Sequence, residues 1–585
     1  MQAVFSKVKL SGKSIAGLVI FVLIASVAQM MIPTLLAGMI DTGVSSKDEK
    51  LIISIAIAMI ILSIVVFITN ALSARISAKV ATKFSADIRE EMFRKVQDFS
   101  AAEVDKFGTP SLITRSTTDV TTIQTFMSMA LRFGILAPMM TAVGLILSIV
   151  TAGELSILLA IAIPVLVIVA AALIVVASRH SIRLRGIIDK INQLFLENLE
   201  GVRVIRAFNK QQHEVDRFEV TNDESATVSK KQFRASGALI PVVTMLFGIT
   251  NVVLLGVGTG YVMYAGMEVG VLIAATQYIN IILLGIIMVT YVVSLFPEAL
   301  ACFKRIGEVF ETETTIKDPE KPVEKGTCKG TVEFRDVTFS YPGADEPVVK
   351  DINFVSKPGE MTAIIGRTGC GKSSVVKLIP RLYDTLFGEV LVDGVNVKDY
   401  KLSDLRDLIG YVPQKNVLFT GDIASNLNFG KEDGSEKDWE EAVRVACAKE
   451  FVEKKDGVYH SAIAQGGTNL SGGQRQRMAI ARAIMKKPEV YIFDDSFSAL
   501  DMKTDKELRG NLKAAMGNDA TMIVVAQRVG TIIDATRIIV LDNGKAVGIG
   551  THKELLKSCQ LYREIAEIQL GKEVVENEID RKSVV

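Results

Sequence analysis

Gly366-Arg367-Thr368-Gly369-Cys370-Gly371-Lys372-Ser373 fits the spacing G-x-x-x-x-G-K-[ST]. It follows an apolar run, Met361–Ile365, and precedes a helical pattern that begins near Ser374, so it sits between a strand and a helix start. Glycines there let backbone N–H groups wrap a β-phosphate, Lys372 neutralises β/γ oxygens, Ser373 offers a Mg²⁺ ligand, and the helix N-terminus adds its dipole. Val490-Tyr-Ile-Phe-Asp494 is a second element: a buried-strand run ending in a carboxylate suited to holding Mg²⁺. Between the two lies Leu470-Ser471-Gly472-Gly473-Gln474, directly before an Arg- and Ala-rich helix. Taken alone, the octapeptide is compatible with a chance match and the Ser-Gly-Gly run with an ordinary capped helix. Their order and context argue for a machine that binds ATP with Mg²⁺.

These motifs all lie in the second half of a 585-residue chain that is 49% hydrophobic, with a mean hydropathy of +0.34. That is too apolar for an ordinary soluble enzyme, and the apolar residues lie mainly in the first half. Six uncharged stretches, Ser14–Ile40, Leu51–Ala74, Phe133–Gly153, Leu155–Ser178, Ala235–Met267 and Val269–Pro297, each exceed the roughly 20 residues that span about 30 Å of hydrocarbon. The first is too long for the apolar core of a secretory signal. The loop Arg75–Arg132 carries nine basic residues and Arg179–Arg234 eleven, while the other loops are nearly bare. The positive-inside rule therefore places these two loops, and both termini, in the cytoplasm. Ile76, Val80, Phe84, Ile88, Met92 and Val96 recur every four residues, a helical stripe continuing the second span into the cytoplasm. At the start, Phe5, Val8 and Leu10 among Lys7, Lys9 and Lys13 suggest a short basic amphipathic helix at the membrane surface.

The net charge of +1 gives no field pointing to nucleic acid. The five cysteines (Cys302, Cys328, Cys370, Cys447 and Cys559) have neither C-x-x-C pairing nor a nearby His, which argues against zinc or a disulfide framework. The expected organisation is a membrane domain over 1–311, a linker rich in Pro, Gly and mixed charge over 312–330, a nucleotide-binding domain over 331–568 and a polar tail over 569–585. The fold class is a two-domain membrane protein. An all-α six-helix transmembrane domain precedes an α/β P-loop domain that has an antiparallel β subdomain and a helical signature subdomain.

Together, the P-loop, the strand-end Asp494, L-S-G-G-Q and six spans closely resemble the ATP-binding cassette exporters, here a half-transporter. That resemblance implies further roles. Tyr341, in Phe339-Ser-Tyr341-Pro342, matches the aromatic that stacks on adenine; a core aromatic at a strand end is the alternative. Gln414, in Tyr411-Val-Pro-Gln414, matches the glutamine that touches Mg²⁺ and faces the membrane domain. Asp501, in Ser498-Ala-Leu-Asp501, matches a loop that communicates between two cassettes. Phe107-Gly108 through Arg115 and Asp119 resembles the first coupling region, and Glu197 through Gly201-Val-Arg203-Val-Ile-Arg206-Ala-Phe208 the second. A purely structural role stays open for any one residue of these loops.

Two positions depart from the family pattern. Where the family has Glu after the strand-end Asp, this chain has Asp495, and where the family has the switch His it has Gln527. A shorter carboxylate retracts by roughly 1–1.5 Å from a water that needs contact at about 2.6–3.2 Å. Gln donates a hydrogen bond but neither titrates nor carries charge. The uncharged Gln465 ahead of the signature is a third, smaller difference, at a position where exporters usually have an acidic residue. With Ser471, Gly472, Gly473 and Gln474 intact, the pattern resembles the degenerate-site subunit of a bacterial heterodimeric multidrug-type exporter, whose partner brings the catalytic Glu and switch His. A homodimeric exporter and an ATP-gated channel or regulatory subunit are the alternatives; an importer is disfavoured by the fused six-span form. Gln29, Asn251, Gln277, Tyr278 and Asn280 fit either an amphipathic substrate cavity or interhelical hydrogen bonding. The lack of intramembrane charge favours neutral or lipophilic cargo. A bacterial plasma-membrane location is expected, and export of leader-bearing peptides is disfavoured.

Overall fold

A computed structural model describes residues 1–8, 12–323 and 329–580. It divides into two compact units, Met1–Gln97 with Thr109–Thr312, and Asp98–Gly108 with Glu313 onward. Lys9, Leu10, Cys328 and the last five residues lie outside the described residues.

The first unit is helical: α1 (Gln2–Lys7), α2 (Gly12–Gly38), α3 (Glu49–Gln97), then, after the short α4 discussed below, α5 (Thr109–Thr114), α6 (Val120–Ala152), α7 (Ser156–Ala207), α8 (Gln211–Gly237), α9 (Leu239–Tyr264) and α10 (Val269–Glu311). Six of its helical stretches are long and apolar enough to cross a membrane, in register with the six predicted runs. At 1.5 Å per residue the 49-residue α3 extends about 75 Å, well beyond the hydrocarbon. The predicted stripe is its packing face, with Val80, Phe84, Ile88 and Met92 buried. Leu18, Val22, Met30, Leu136, Met140, Ala274 and Tyr278 form a core where α2, α6 and α10 meet. Helix α1 packs on protein: Val4 and Val8 are buried, and the Phe5 ring stacks on Phe84 and Phe303 at 5.4 and 5.6 Å.

Among the polar residues within the spans, Tyr278 is wholly buried and its hydroxyl lies 2.6 Å from Thr34 Oγ1, an interhelical bond. Gln277 and Asn280, on the same helix, are exposed.

The predicted first coupling region divides at Gly108, whose φ of +74° breaks the helix. Before it, α4 (Ala101–Phe107) belongs to the second unit rather than to the membrane domain expected over 1–311. Ala101 and Ala102 pack on that unit's core, and Tyr383 Oη donates to Asp105 Oδ2 at 2.7 Å. After Gly108, Arg115 and Asp119 lie on a π-helical turn and bind α10: Arg305 grips the buried Asp119 with a two-point fork, and Arg115 reaches Glu308 at 3.1 Å. The predicted second region is the C-terminal end of α7 with Phe208 in the turn to α8; Val204 and Phe208 are exposed there and Glu197 pairs with Arg217 at 3.0 Å.

In the second unit, β1 (Val332–Phe339), β2 (Val349–Ser356), β4 (Phe387–Val392) and β5 (Val395–Asn396) form the antiparallel sheet, in the order β2-β1-β4-β5. A six-stranded sheet has the order β12-β11-β3-β10-β9-β6: β3 (Met361–Gly366), β6 (Ile409–Val412), β9 (Val490–Asp494), β10 (Thr521–Val525) and β11 (Arg537–Asp542) run parallel, and β12 (Lys545–Gly550) closes the edge antiparallel. Helix α11 (Lys372–Leu378) follows the P-loop and α12 (Leu402–Asp407) precedes β6. A two-strand pair, β7 (Gly421–Asp422) and β8 (Ala462–Ile463), brackets α13 (Ile423–Asn428), α14 (Glu436–Val445) and α15 (Lys449–Glu453), which with α16 (Gly472–Lys486) make the helical subdomain. Helices α17 (Met502–Met516), α18 (Val529–Ile532), α19 (His552–Ser558), α20 (Gln560–Leu570) and α21 (Lys572–Asp580) complete the unit. β9 reads as unbroken apolar sequence because it is buried along its whole length.

The predicted polar tail is not a tail over its described part. Val575 and Ile579, one helical turn apart, give α21 an apolar stripe that joins the domain core, and His552 bridges Tyr562 Oη at 2.6 Å and Glu578 Oε2 at 2.8 Å. Three apolar residues, Val574, Val575 and Ile579, among charges are too sparse a pattern to separate from a solvated segment without knowing what they face, and Val574 is in fact exposed. Val575→Ala should lower stability by roughly 1–3 kcal/mol, read as a shift in the thermal unfolding of the cassette, because Val575 is fully buried.

Candidate functional site

The parallel sheet assembles the site by register. Val525 on β10 pairs with Ile364 on β3 and Asp494 on β9, so the P-loop, the strand-end carboxylates and the segment leading to Gln527 leave the sheet side by side at its C-terminal edge. That edge is where open α/β sheets bind ligands.

Gly366 (φ +159°) and Gly371 (φ +98°) turn the loop, and a Cβ on Gly366 would strike the Leu541 carbonyl. Arg367, Thr368 and Gly369 form an exposed crest, whereas Cys370, Gly371 and Lys372 are buried beneath it. Lys372 Nζ donates to the carbonyls of Gly366 (2.9 Å) and Arg367 (2.8 Å), which holds a cation inside the cradle. Burial pushes the Cys370 thiol up from its ordinary value, against the pull of Lys372. Ser373 Oγ donates to Asp494 Oδ1 at 2.7 Å, so two hard oxygen donors adjoin the cradle. Among the described residues no cluster of three or more His, Cys, Asp or Glu side chains suits a metal. Two protein oxygens that leave the remaining positions to phosphate and water fit Mg²⁺.

Asp494 is 2% exposed, and burial raises its carboxyl above the usual range while Ser373 pulls it back. Tyr411 Oη also donates to it, at 3.3 Å. Sequence reasoning missed this partner, although Tyr411 stands three residues before Gln414; its signal is the parallel pairing of β6 with β9, which aims that strand end at Asp494.

Asp495 sits in left-handed backbone, φ +50°, which Asp tolerates better than most residues. Burial raises its carboxyl too. Two glutamine amides converge on one of its oxygens: Gln527 Nε2 donates to Oδ2 at 2.7 Å and Gln414 Nε2 at 3.2 Å. The three departing or flanking residues thus form one wall. Gln414, expected also at the metal, bonds Asp495 rather than the Ser373–Asp494 pair.

Tyr341 lies edge-on to Phe339 and Tyr383, with ring centroids at 4.8 and 5.1 Å, and its hydroxyl is 3.0 Å from Ser374 Oγ. It is therefore an aromatic anchored to the P-loop helix. Asp501 caps α17, accepting from the Thr504 amide at 3.0 Å, and the loop before it is held by Arg528, which donates to the carbonyls of Ser498 and Leu500.

Ser471 caps α16 reciprocally: its hydroxyl accepts from Gln474 N at 3.3 Å, and Gln474 Oε1 accepts from Ser471 N at 3.0 Å. Ser471 and Gly472 are exposed, and nothing lies within 4 Å of a Cβ placed on Gly472. A 15-residue helix thus presents an open N-terminus, suited to an anion.

A phosphate cradle, a buried strand-end carboxylate and an open Ser-Gly-Gly helix start in one domain, joined to six spans, define a half-transporter powered by a nucleotide-binding cassette. Residues 15–287 match the ABC transporter transmembrane region and 349–498 the ABC transporter domain. The chain is 38% identical over 559 residues, 95% of its length and 96% of the relative's, to the uncharacterized ABC transporter ATP-binding protein Rv1273c of Mycobacterium tuberculosis. It is 29% identical to the ATP-dependent lipid A-core flippase of Escherichia coli K12, covering 96% of each chain. Its fold matches a bacterial Atm1-family ABC exporter solved with ATP bound, with a TM-score of 0.77 and 22% identity over 94% of this chain and 97% of that one. The chain belongs to the ABC transporter family: it is a multi-pass half-transporter with the fold of an ABC exporter, in which ATP hydrolysis is coupled to transport, and ABC exporters work as dimers in the membrane.

Proposed function

We propose that this chain is one subunit of a heterodimeric exporter in a bacterial inner membrane, with its cassette and termini in the cytoplasm. Its own site binds ATP with Mg²⁺ and hydrolyses it slowly, while Ser471, Gly472, Gly473 and Gln474 complete a competent site on a partner that carries a catalytic Glu and switch His. One observation carries this reading: the shortened carboxylate of Asp495 is held by two neutral amides, from Gln527 and Gln414, that neither titrate nor add charge.

In this reading the P-loop backbone and Lys372 bind the β- and γ-phosphates, and Tyr341 supports the adenine. Ser373 and Asp494 hold Mg²⁺, whose bound charge supplies electrostatic stabilisation of the phosphates. Asp495 orients water poorly because its oxygen is retracted and doubly engaged, so the dimer would stay closed over this site. Asp501 and the exposed Val204 and Phe208 are the surfaces through which the two subunits communicate. Because the phosphate contacts come from backbone, Cys370→Ser should leave ATP affinity within about twofold, measured by equilibrium binding of a fluorescent ATP analogue.

The substrate class proposed is amphipathic or lipophilic. Supporting it are the uncharged spans, the exposed Gln277 and Asn280 on α10, and the name of the E. coli relative, a lipid A-core flippase. Co-expression with a candidate half-transporter, followed by native mass measurement, tests the assembly. A one-to-one mixed dimer that transports is expected, and a homodimer with full activity overturns the reading.

A further inference from the structure

The side chains of Gln527 and Arg528 reach across to Asp495 and to the Ser498 and Leu500 carbonyls, but the backbone on either side of Arg528 takes a partner from far along the chain. This loop joins β10 to α18, a four-residue helix whose cap residue, Arg528, makes no side-chain cap bond. The first amide of that helix, Val529 N, is buried and needs an acceptor from elsewhere. It finds one 40 residues downstream: Gln569 Oε1 accepts from Val529 N at 2.7 Å, and Gln569 Nε2 donates to the Gln527 carbonyl at 2.8 Å. One amide side chain thus clamps the switch segment on both sides of Arg528.

The helix that supplies it, α20, is well anchored. Tyr562 and Ala566 are fully buried in the domain core, and His552 ties Tyr562 to Glu578 of α21. Two residues after Tyr562, Glu564 approaches Arg367 of the P-loop crest at 3.9 Å. The same helix therefore touches the phosphate loop with one residue and the switch loop with another.

We infer that Gln569 is a positioning residue for ATP hydrolysis: the C-terminal helix α20 fixes the 527–529 backbone so that the residue at 527 meets the carboxylate at 495. The distances favour this chain of contacts, since the 2.7 and 2.8 Å bonds to the backbone sit directly behind the 2.7 Å bond from Gln527 to Asp495. The inference rests on reading Asp495 and Gln527 as the hydrolytic wall, but not on that wall being slow or the dimer mixed. It assigns the end of α20, expected from sequence to be the start of a polar tail, a place in the active site.

The test is a double-mutant cycle on the full-length chain in nanodiscs, comparing Gln569→Met, Gln527→Ala and both together, and repeated with Gln569→Met added to Asp495→Glu/Gln527→His. In each background Gln569→Met should lower kcat about fivefold or more with the KM for ATP within twofold, and it should add nothing to Gln527→Ala. Hydrogen exchange read at peptide level should accelerate at least tenfold for the segment containing Val529 in Gln569→Met, and less in Gln569→Glu, which keeps the acceptor and loses the donor. Unchanged kcat and exchange would overturn the inference, as would losses that add to those of Gln527→Ala. A fast wild-type chain that still shows the non-additive cycle would overturn the slow-site reading while sustaining this one.

Discussion

Asp495→Glu together with Gln527→His should raise the ATP turnover of the purified chain by about 100-fold. The longer side chain recovers the roughly 1–1.5 Å that separates an Asp oxygen from the reach of a Glu, and a positioned general base or water-orienting carboxylate contributes factors of about 10²–10⁴. The Gln527 amide now spends its N–H on Asp495 Oδ2 at 2.7 Å; an imidazole in its place both donates a hydrogen bond and titrates. The pH–rate profile of the double variant should accordingly acquire an inflection near the ordinary histidine range, about pH 6–7, that the parent lacks. Some loss of stability is expected from Asp495→Glu, since left-handed backbone at this position suits Asp better than a longer chain. Phosphate release measured for parent and variant, alone and with a partner half-transporter, checks the prediction. Robust turnover by the parent alone would show that Asp495 suffices and that the site is not degenerate.

Gly472→Asp should reduce hydrolysis by the mixed complex at least about 100-fold while leaving nucleotide binding to this chain's own P-loop intact. Space is available, because a Cβ at Gly472 meets nothing within 4 Å, and an acidic residue in the first turn favours the α16 helix through its dipole. The same carboxylate occupies the open N-terminus where a γ-phosphate held by the partner would dock, and like-charge contact there removes the stabilisation that hydrolysis needs. Separating the two effects takes two readings on one sample: binding of a labelled ATP analogue to this chain, and phosphate release by the complex. Parental phosphate release would mean that this signature completes no hydrolytic site. Ser471→Ala should be milder, because the lost cap costs the helix about 1 kcal/mol but leaves the backbone amides in place.

Much of this site was legible in sequence because its chemistry is local. Eight consecutive residues make the phosphate cradle, five make the signature, and an apolar run ending in Asp494 marks a buried strand end. Each pattern works through its own backbone or its own neighbour in the chain, so spacing alone carries it. The six spans were equally legible, since about 20 uncharged residues have one inexpensive environment. The absence of Glu at 495 and of His at 527 could also be read directly.

What only the tertiary structure decided are the contacts between residues far apart in the chain. Gln414, Asp495 and Gln527 meet because β6, β9 and β10 end at one edge of a sheet whose order differs from chain order. Tyr411 reaches Asp494 for the same reason, and Gln569 reaches Gln527 only because α20 folds back onto the domain. Asp98–Gly108 joins the cassette unit although it lies between two membrane helices in sequence, because Tyr383 and a patch of the sheet core accept it there. Helix α21 has three apolar positions, too few to announce a buried face until Val575 is seen to fill one. The composition of a segment specifies what it can bury or bond, and only the packed fold specifies which distant group it meets, since pairing and burial are set by strand order and shape rather than by distance along the chain.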